Sequence, residues 1–145
     1  MEELLALASG HEQRTVEAGA SLIVDGEPSH PLYVLLEGAL RIEKGGALIA
    51  VVSEAGACVG EMSLLLGINA TADVAATRPS VVAVIADPGA MLASEGRLPL
   101  ALARLLAQRL HVVTTYLADL KHQYADHEGG LGMVDVVLGS LMSAR

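Results

Sequence analysis

The sequence predicts a mainly β domain with flanking helices: a sandwich- or barrel-like core of short strands, then a long helix and a short tail helix. Three observations predict it. Between Arg14 and Ala86, short β-rich segments alternate with glycine-punctuated turns. After Ala86 the apolar spacing changes from that of strands to that of helices. The 145 residues, 52% of them hydrophobic, suffice for one core and one domain.

The strand segments in order are Leu22–Val24, Leu32–Glu37, Ala39–Glu43, Ala47–Val52, Asp73–Ala75 and Val81–Ala86. Between them lie Glu17-Ala18-Gly19, Asp25-Gly26-Glu27-Pro28, Lys44-Gly45-Gly46 and Glu54-Ala55-Gly56. Lys44-Gly45-Gly46 separates two strand patterns and reads as a hairpin turn, because glycine reaches positive φ without steric cost. Phe and Trp are absent and Tyr occurs three times, so the core must be built from Leu, Val, Ile, Ala and Met. Asp87-Pro88-Gly89 opens a short helix, with Asp87 as N-cap and Pro88 at the first helical position. From Leu98 to about Tyr124 the chain has no glycine and a single proline, Pro99, near the start, which predicts one long helix.

Along that helix Leu106, Leu110, Val113, Leu117, Leu120 and Tyr124 follow the 4-3-4-3-4 spacing of a heptad seam. The seam is either a contact within the chain or the interface of a parallel homodimer, and the homodimer is favoured. Glu128-Gly129-Gly130 breaks the helix, after which Val134, Val137, Leu138, Leu141 and Met142 share one helical face. The expected organisation is therefore a domain over 1–127, long helix included, and an amphipathic tail helix over 128–145.

Nine Lys and Arg against seventeen Asp and Glu leave a net charge of −8. Nucleic acid and anionic membranes are bound by basic faces, so neither is an expected partner. The lone cysteine, Cys58, excludes an internal disulfide and cannot hold an iron–sulfur cluster. Met1-Glu2-Glu3-Leu4 does not open a secretory signal, and apolar runs such as Ala47–Val52 and Val81–Ala86 are of strand length. A cytoplasmic location is the default expectation. No G-x-S-x-G, Walker loop or H-E-x-x-H occurs, so no enzymatic activity is expected. None of His11, His30, His111, His122 and His127 forms an i, i+4 pair, and no metal site is expected.

Four stretches resemble the cyclic nucleotide-binding domain family, which includes catabolite-activator-type regulators, kinase regulatory subunits and cyclic-nucleotide-gated channels. They are Glu17–Ile23, Asp25-Gly26-Glu27-Pro28, Leu32-Tyr33-Val34-Leu35-Leu36-Glu37-Gly38 and Gly60-Glu61-Met62-Ser63-Leu64-Leu65. The resemblance covers roughly Gln13 to Tyr124. It implies a double-stranded β-helix, a jelly-roll-like β-roll, and a regulatory module that binds a cyclic mononucleotide, cAMP being favoured over cGMP. The ligand would act through the C-terminal helix on an effector protein of unknown identity, and no cofactor is implied. Some relatives hold haem through Cys and His; for Cys58 the simpler reading is a small buried hydrophobe.

The fourth stretch resembles the opening of the family's phosphate-binding cassette. A short helix starting near Met62 would present backbone N–H groups to an anion, and Gly60 would allow close approach. In the family the glutamate at Glu61 receives the ribose 2′-hydroxyl; the alternative is an exposed loop carboxylate. Ser63 and Thr71 would add hydroxyl or backbone contacts to phosphate oxygens. The cassette closes as Ile68-Asn69-Ala70-Thr71-Ala72-Asp73, with Ala70 where the family carries its phosphate-pairing arginine. Losing that charge-assisted pair would weaken binding by about 2–4 kcal/mol, roughly thirty- to a thousand-fold. No Lys or Arg lies between Lys44 and Arg78, so the segment holds no local substitute, and Arg41 and Arg78 are the candidates to reach in from another strand. In dimeric relatives the long helix touches the base; Thr114 and Thr115 would fill that role, or are plain helix-surface residues. Only 21 residues follow Tyr124, so the helix-turn-helix of the transcription factors is not expected. The alternative function is a degenerate, non-binding domain that serves protein interaction or dimerisation.

Overall fold

A computed structural model describes residues 2–94, 96–123 and 132–143. The chain forms two compact units, 1–102 and 103–145. The first runs α1 (Glu2–Ala8), β1 (Glu12–Val16), β2 (Ser21–Ile23), β3 (Leu32–Glu37), β4 (Leu40–Lys44), β5 (Ala47–Val52), β6 (Cys58–Val59), α2 (Glu61–Leu66), β7 (Asp73–Ala76), β8 (Ser80–Ile85) and α3 (Pro88–Ser94). Helix α4 (Arg97–Gln123) begins in this unit and continues into the second, which also holds α5 (Gly132–Met142).

Two four-stranded antiparallel sheets make the β-roll, in the orders β1-β8-β3-β6 and β2-β7-β4-β5. Strands β3 and β8 occupy the middle of the first sheet and are buried on both faces, which explains their near-continuous apolar sequence. Tyr33, Leu35, Val82 and Val84 face the interior shared with Ile23, Leu40, Val74 and Ala76 of the second sheet. Helix α1, with buried Leu4 and Ala8, lies against β3 and β8. The expected strands Leu32–Glu37 and Ala47–Val52 occur with those bounds. Strand β4 starts one residue later than expected. Ala39 is held by Ser80, whose Oγ accepts the Ala39 N–H at 3.0 Å. Gly38, at φ +105, packs so closely that a Cβ there would meet the Ser80 Cα at 2.6 Å.

Strand β5 is the outer strand of the second sheet and leaves Leu48, Ile49 and Val51 exposed. Asp87 caps α3, its Oδ1 accepting the Ala90 N–H at 3.1 Å, as the sequence predicts. At the start of α4, Leu98, Ala101 and Leu102 are buried. In the second unit Lys121 of α4 pairs with Asp135 of α5, and no described residue of α5 is buried. Of the seam, Leu110 and Val113 are exposed, as is the neighbouring Tyr116. Tyr124, His127 and Glu128-Gly129-Gly130 lie outside the described residues. Among those that are described, no helix is long and apolar enough to cross a membrane.

Candidate functional site

The site is built where the chain leaves the first sheet and returns to the second. Strand β6 is anchored on β3 through Val34 opposite Cys58 and Tyr33 opposite Val59. Gly60 then turns the chain at φ +95 and ψ 0, a left-handed geometry that glycine adopts without strain. Helix α2 follows for six residues and ends on Gly67, whose N–H and that of Ile68 both donate to the Ser63 carbonyl.

The first turn of α2 sorts its side chains sharply. Glu61 is only 4% exposed, so the loop-carboxylate alternative does not describe it. Met62 points outward together with Leu65, Leu66 and Ile68. Ser63 is buried, and its Oγ lies 2.7 Å from His30 Nε2 and 3.3 Å from the Gly60 carbonyl. The His30 ring also has Nδ1 2.8 Å from the Pro31 carbonyl. Thus His30, from the loop between β2 and β3, braces the head of α2. His30 carries no sequence signal that marks it for the site. The two partners are 33 positions apart and no local pattern links them.

The return segment is pinned equally firmly. The Ala70 carbonyl accepts the Gly26 N–H at 2.8 Å, and the Ala70 N–H donates to the Glu27 carbonyl at 2.9 Å. Two residues therefore oppose one, and Gly26 sits at φ +87, the arrangement of a glycine-led β-bulge. The Asp25 N–H donates to Asp73 Oδ1 at 2.7 Å, which closes the same junction. Ala70 is 5% exposed and belongs to the apolar interior of the roll. Thr71 and Ala72 are half-buried and lead into β7. The structure thus brings Gly60, Glu61, Ser63, Ala70, Thr71 and Ala72 onto one connected segment. Thr114 and Thr115 lie on α4 in the second unit, the first half-buried and the second exposed.

The two arginines considered as substitutes are engaged elsewhere. Arg41 Nε lies 3.0 Å from Glu43 Oε1, and Arg78 Nη2 donates to the Gly38 carbonyl at 3.2 Å. Cys58 is fully buried. Among the described residues no group of three or more His, Cys, Asp or Glu is placed to hold a metal ion.

Comparison with known proteins agrees with this geometry. The family model described as cyclic nucleotide-binding domain matches residues 13–90. The chain is 33% identical over 75 residues to the cGMP-dependent protein kinase egl-4 of Caenorhabditis elegans, which is 52% of this chain and 10% of that kinase. Among solved structures it resembles the Thermus thermophilus catabolite activator protein, with a TM-score of 0.66 and 26% identity, over 83% of this chain and 59% of that one. It also resembles a cyclic nucleotide-binding domain from Methylobacillus flagellatus, with a TM-score of 0.63 and 26% identity, over 76% of this chain and 67% of that one. The chain thus spans about a tenth of the curated kinase and under two thirds of the activator protein.

Proposed function

The chain belongs to the cyclic nucleotide-binding domain family, and from that premise we propose that it is a regulatory module binding a cyclic mononucleotide at the Gly60–Ala72 segment. The observation that carries the proposal is Glu61. A carboxylate that served only as loop surface would be solvated, whereas this one is buried at the head of α2. Its role is to receive the ribose hydroxyl. The main chain around Met62 and Ser63, with Thr71 and Ala72, faces the phosphate. The preferred nucleotide is cAMP rather than cGMP. Binding shifts the population of the 87–97 hinge and of α4, and so changes a surface read by a second copy of the chain or by an effector protein. Exposed Leu110, Val113 and Tyr116 support a homodimer through α4.

Titration calorimetry with cAMP and cGMP tests this. Saturable heat is expected with cAMP, weaker heat with cGMP, and none after Glu61→Ala in a chain whose circular dichroism is unchanged. Absence of heat from both nucleotides at millimolar concentration overturns the proposal.

A second reading, a domain that keeps the fold for protein interaction, is favoured by the burial of Ala70 in the apolar interior. Ala70→Arg separates the two. It tightens nucleotide binding in a working site and only lowers stability in a filled one.

A further inference from the structure

We propose that His30 supplies the positive charge that the Gly60–Ala72 segment itself lacks: its ring takes up a proton when the site takes an anion, so the nucleotide phosphate binds together with a hydrogen ion. The inference rests on the reading of that segment as the ligand site.

The segment carries the carboxylate of Glu61 and no Lys or Arg, and none lies anywhere between Lys44 and Arg78. Arg41 and Arg78 are held by Glu43 and the Gly38 carbonyl. An anion at the head of α2 therefore meets main chain and no local guanidinium or ammonium. His30 is a group able to become cationic, and it is bonded to this segment. Its Nε2 lies 2.7 Å from Ser63 Oγ. The ring also covers Gly60, where an added Cβ would meet its Cε1 at 2.8 Å and its Nδ1 at 3.0 Å.

The hydrogen bonds around the ring accommodate both of its forms. In the neutral ring Nδ1 donates to the Pro31 carbonyl at 2.8 Å and Nε2 is an acceptor. A second proton goes to Nε2, which then donates to Ser63 Oγ, while the hydroxyl hydrogen turns to the Gly60 carbonyl at 3.3 Å. Every one of these atoms keeps a partner, so protonation asks only for the rotation of one hydroxyl. The charge then stands against Ser63, the residue whose main chain faces the phosphate. An anion beside it stabilises the imidazolium. The protonated form is favoured in the complex, so affinity is gained as pH falls through the ring's titration and lost as pH rises. The titratable groups on the elements around the ring are Glu61 on α2, Asp25 and Glu27 on its own loop, and Tyr33 on β3. Free carboxylates and phenols change charge outside the range from about pH 5 to about pH 8, and an imidazole within it.

Titration calorimetry compares cAMP, which keeps its single negative charge across that range, with neutral adenosine, on the native chain and on His30→Gln. Glutamine keeps a hydrogen-bonding group and cannot be protonated. On the native chain cAMP affinity is expected to rise about threefold or more from about pH 8 to about pH 6, within the tenfold per pH unit that one proton allows. Adenosine on the native chain, and cAMP on H30Q, should each stay within about twofold over the same range. Melting curves confirm that both chains are folded. Proton NMR gives a reading that needs no variant: the His30 ring resonance should titrate at higher pH with cAMP bound than with adenosine bound, and an unmoved titration overturns the inference even where H30Q does not fold. Native cAMP affinity that ignores pH, equal pH dependence in H30Q, or equal pH dependence for adenosine overturns the charge role of His30 and leaves the site reading standing. Weakening of cAMP in H30Q by one factor at every pH does the same, since it marks His30 as a brace alone. Failure of cAMP to bind the native chain at any of these pH values overturns the site reading and this inference with it.

Discussion

Gly60→Ala tests the construction of the cassette most directly. A Cβ at Gly60 would lie 2.8 Å from His30 Cε1, 3.0 Å from His30 Nδ1 and 3.3 Å from Ile23 Cδ1. The left-handed backbone at φ +95 costs an L-residue about 1–2 kcal/mol before any contact is counted. The imidazole must also move, and moving it loosens the 2.7 Å bond to Ser63, worth a further ~0.5–1.5 kcal/mol. The sum is about 1.5–3.5 kcal/mol. Gly67→Ala is the matched control. Gly67 is left-handed too, at φ +66, but no atom lies within 4 Å of its added Cβ, so it should lose only the backbone part, about 1–2 kcal/mol. Equilibrium urea denaturation followed by circular dichroism measures both losses. In the double variant Gly60→Ala/His30→Ala the ring is gone, and the combined loss should fall short of the sum of the single losses by about 1 kcal/mol. Equal losses at Gly60 and Gly67, or strict additivity in the double variant, would refute the view that His30 braces the cassette.

Two further predictions concern the turn that joins the sheets. Gly38→Ala places its Cβ against backbone of Ser80, which cannot swing aside, so its cost should exceed that of Gly60→Ala and pass ~4 kcal/mol; soluble yield and melting temperature will show it. Ser80→Ala removes the acceptor of the buried Ala39 N–H and should cost about 1–3 kcal/mol in urea denaturation, with little change in m.

The roll was legible wherever punctuation was strong. Gly38 stops β3 and Gly45-Gly46 separates β4 from β5, so these bounds follow from composition and turn chemistry, to within a residue for β4. Strand β1 escaped notice because four of its five residues are exposed, leaving no alternation to read. Two-residue β6 is too short for any period, and α1 shows only Leu4 and Ala8 to the core. In the cassette, the residue types at Gly60 and Glu61 announced a turn and a polar group. The burial of Glu61 depends on neighbours brought in by the sheets, and no local pattern encodes that.

The contact between His30 and Ser63 restricts which hydrogens this region can lend. A carbonyl oxygen accepts and never donates, so the ring nitrogen facing Pro31 must be the one that carries the hydrogen. In the neutral imidazole the opposite nitrogen is then a lone pair, and the serine hydroxyl has two acceptors for its single hydrogen, that nitrogen at 2.7 Å and the Gly60 carbonyl at 3.3 Å. That hydroxyl has none left for a visiting oxyanion. Whatever Ser63 offers such a guest comes from its main chain, and the side chain serves as a strut inside the wall.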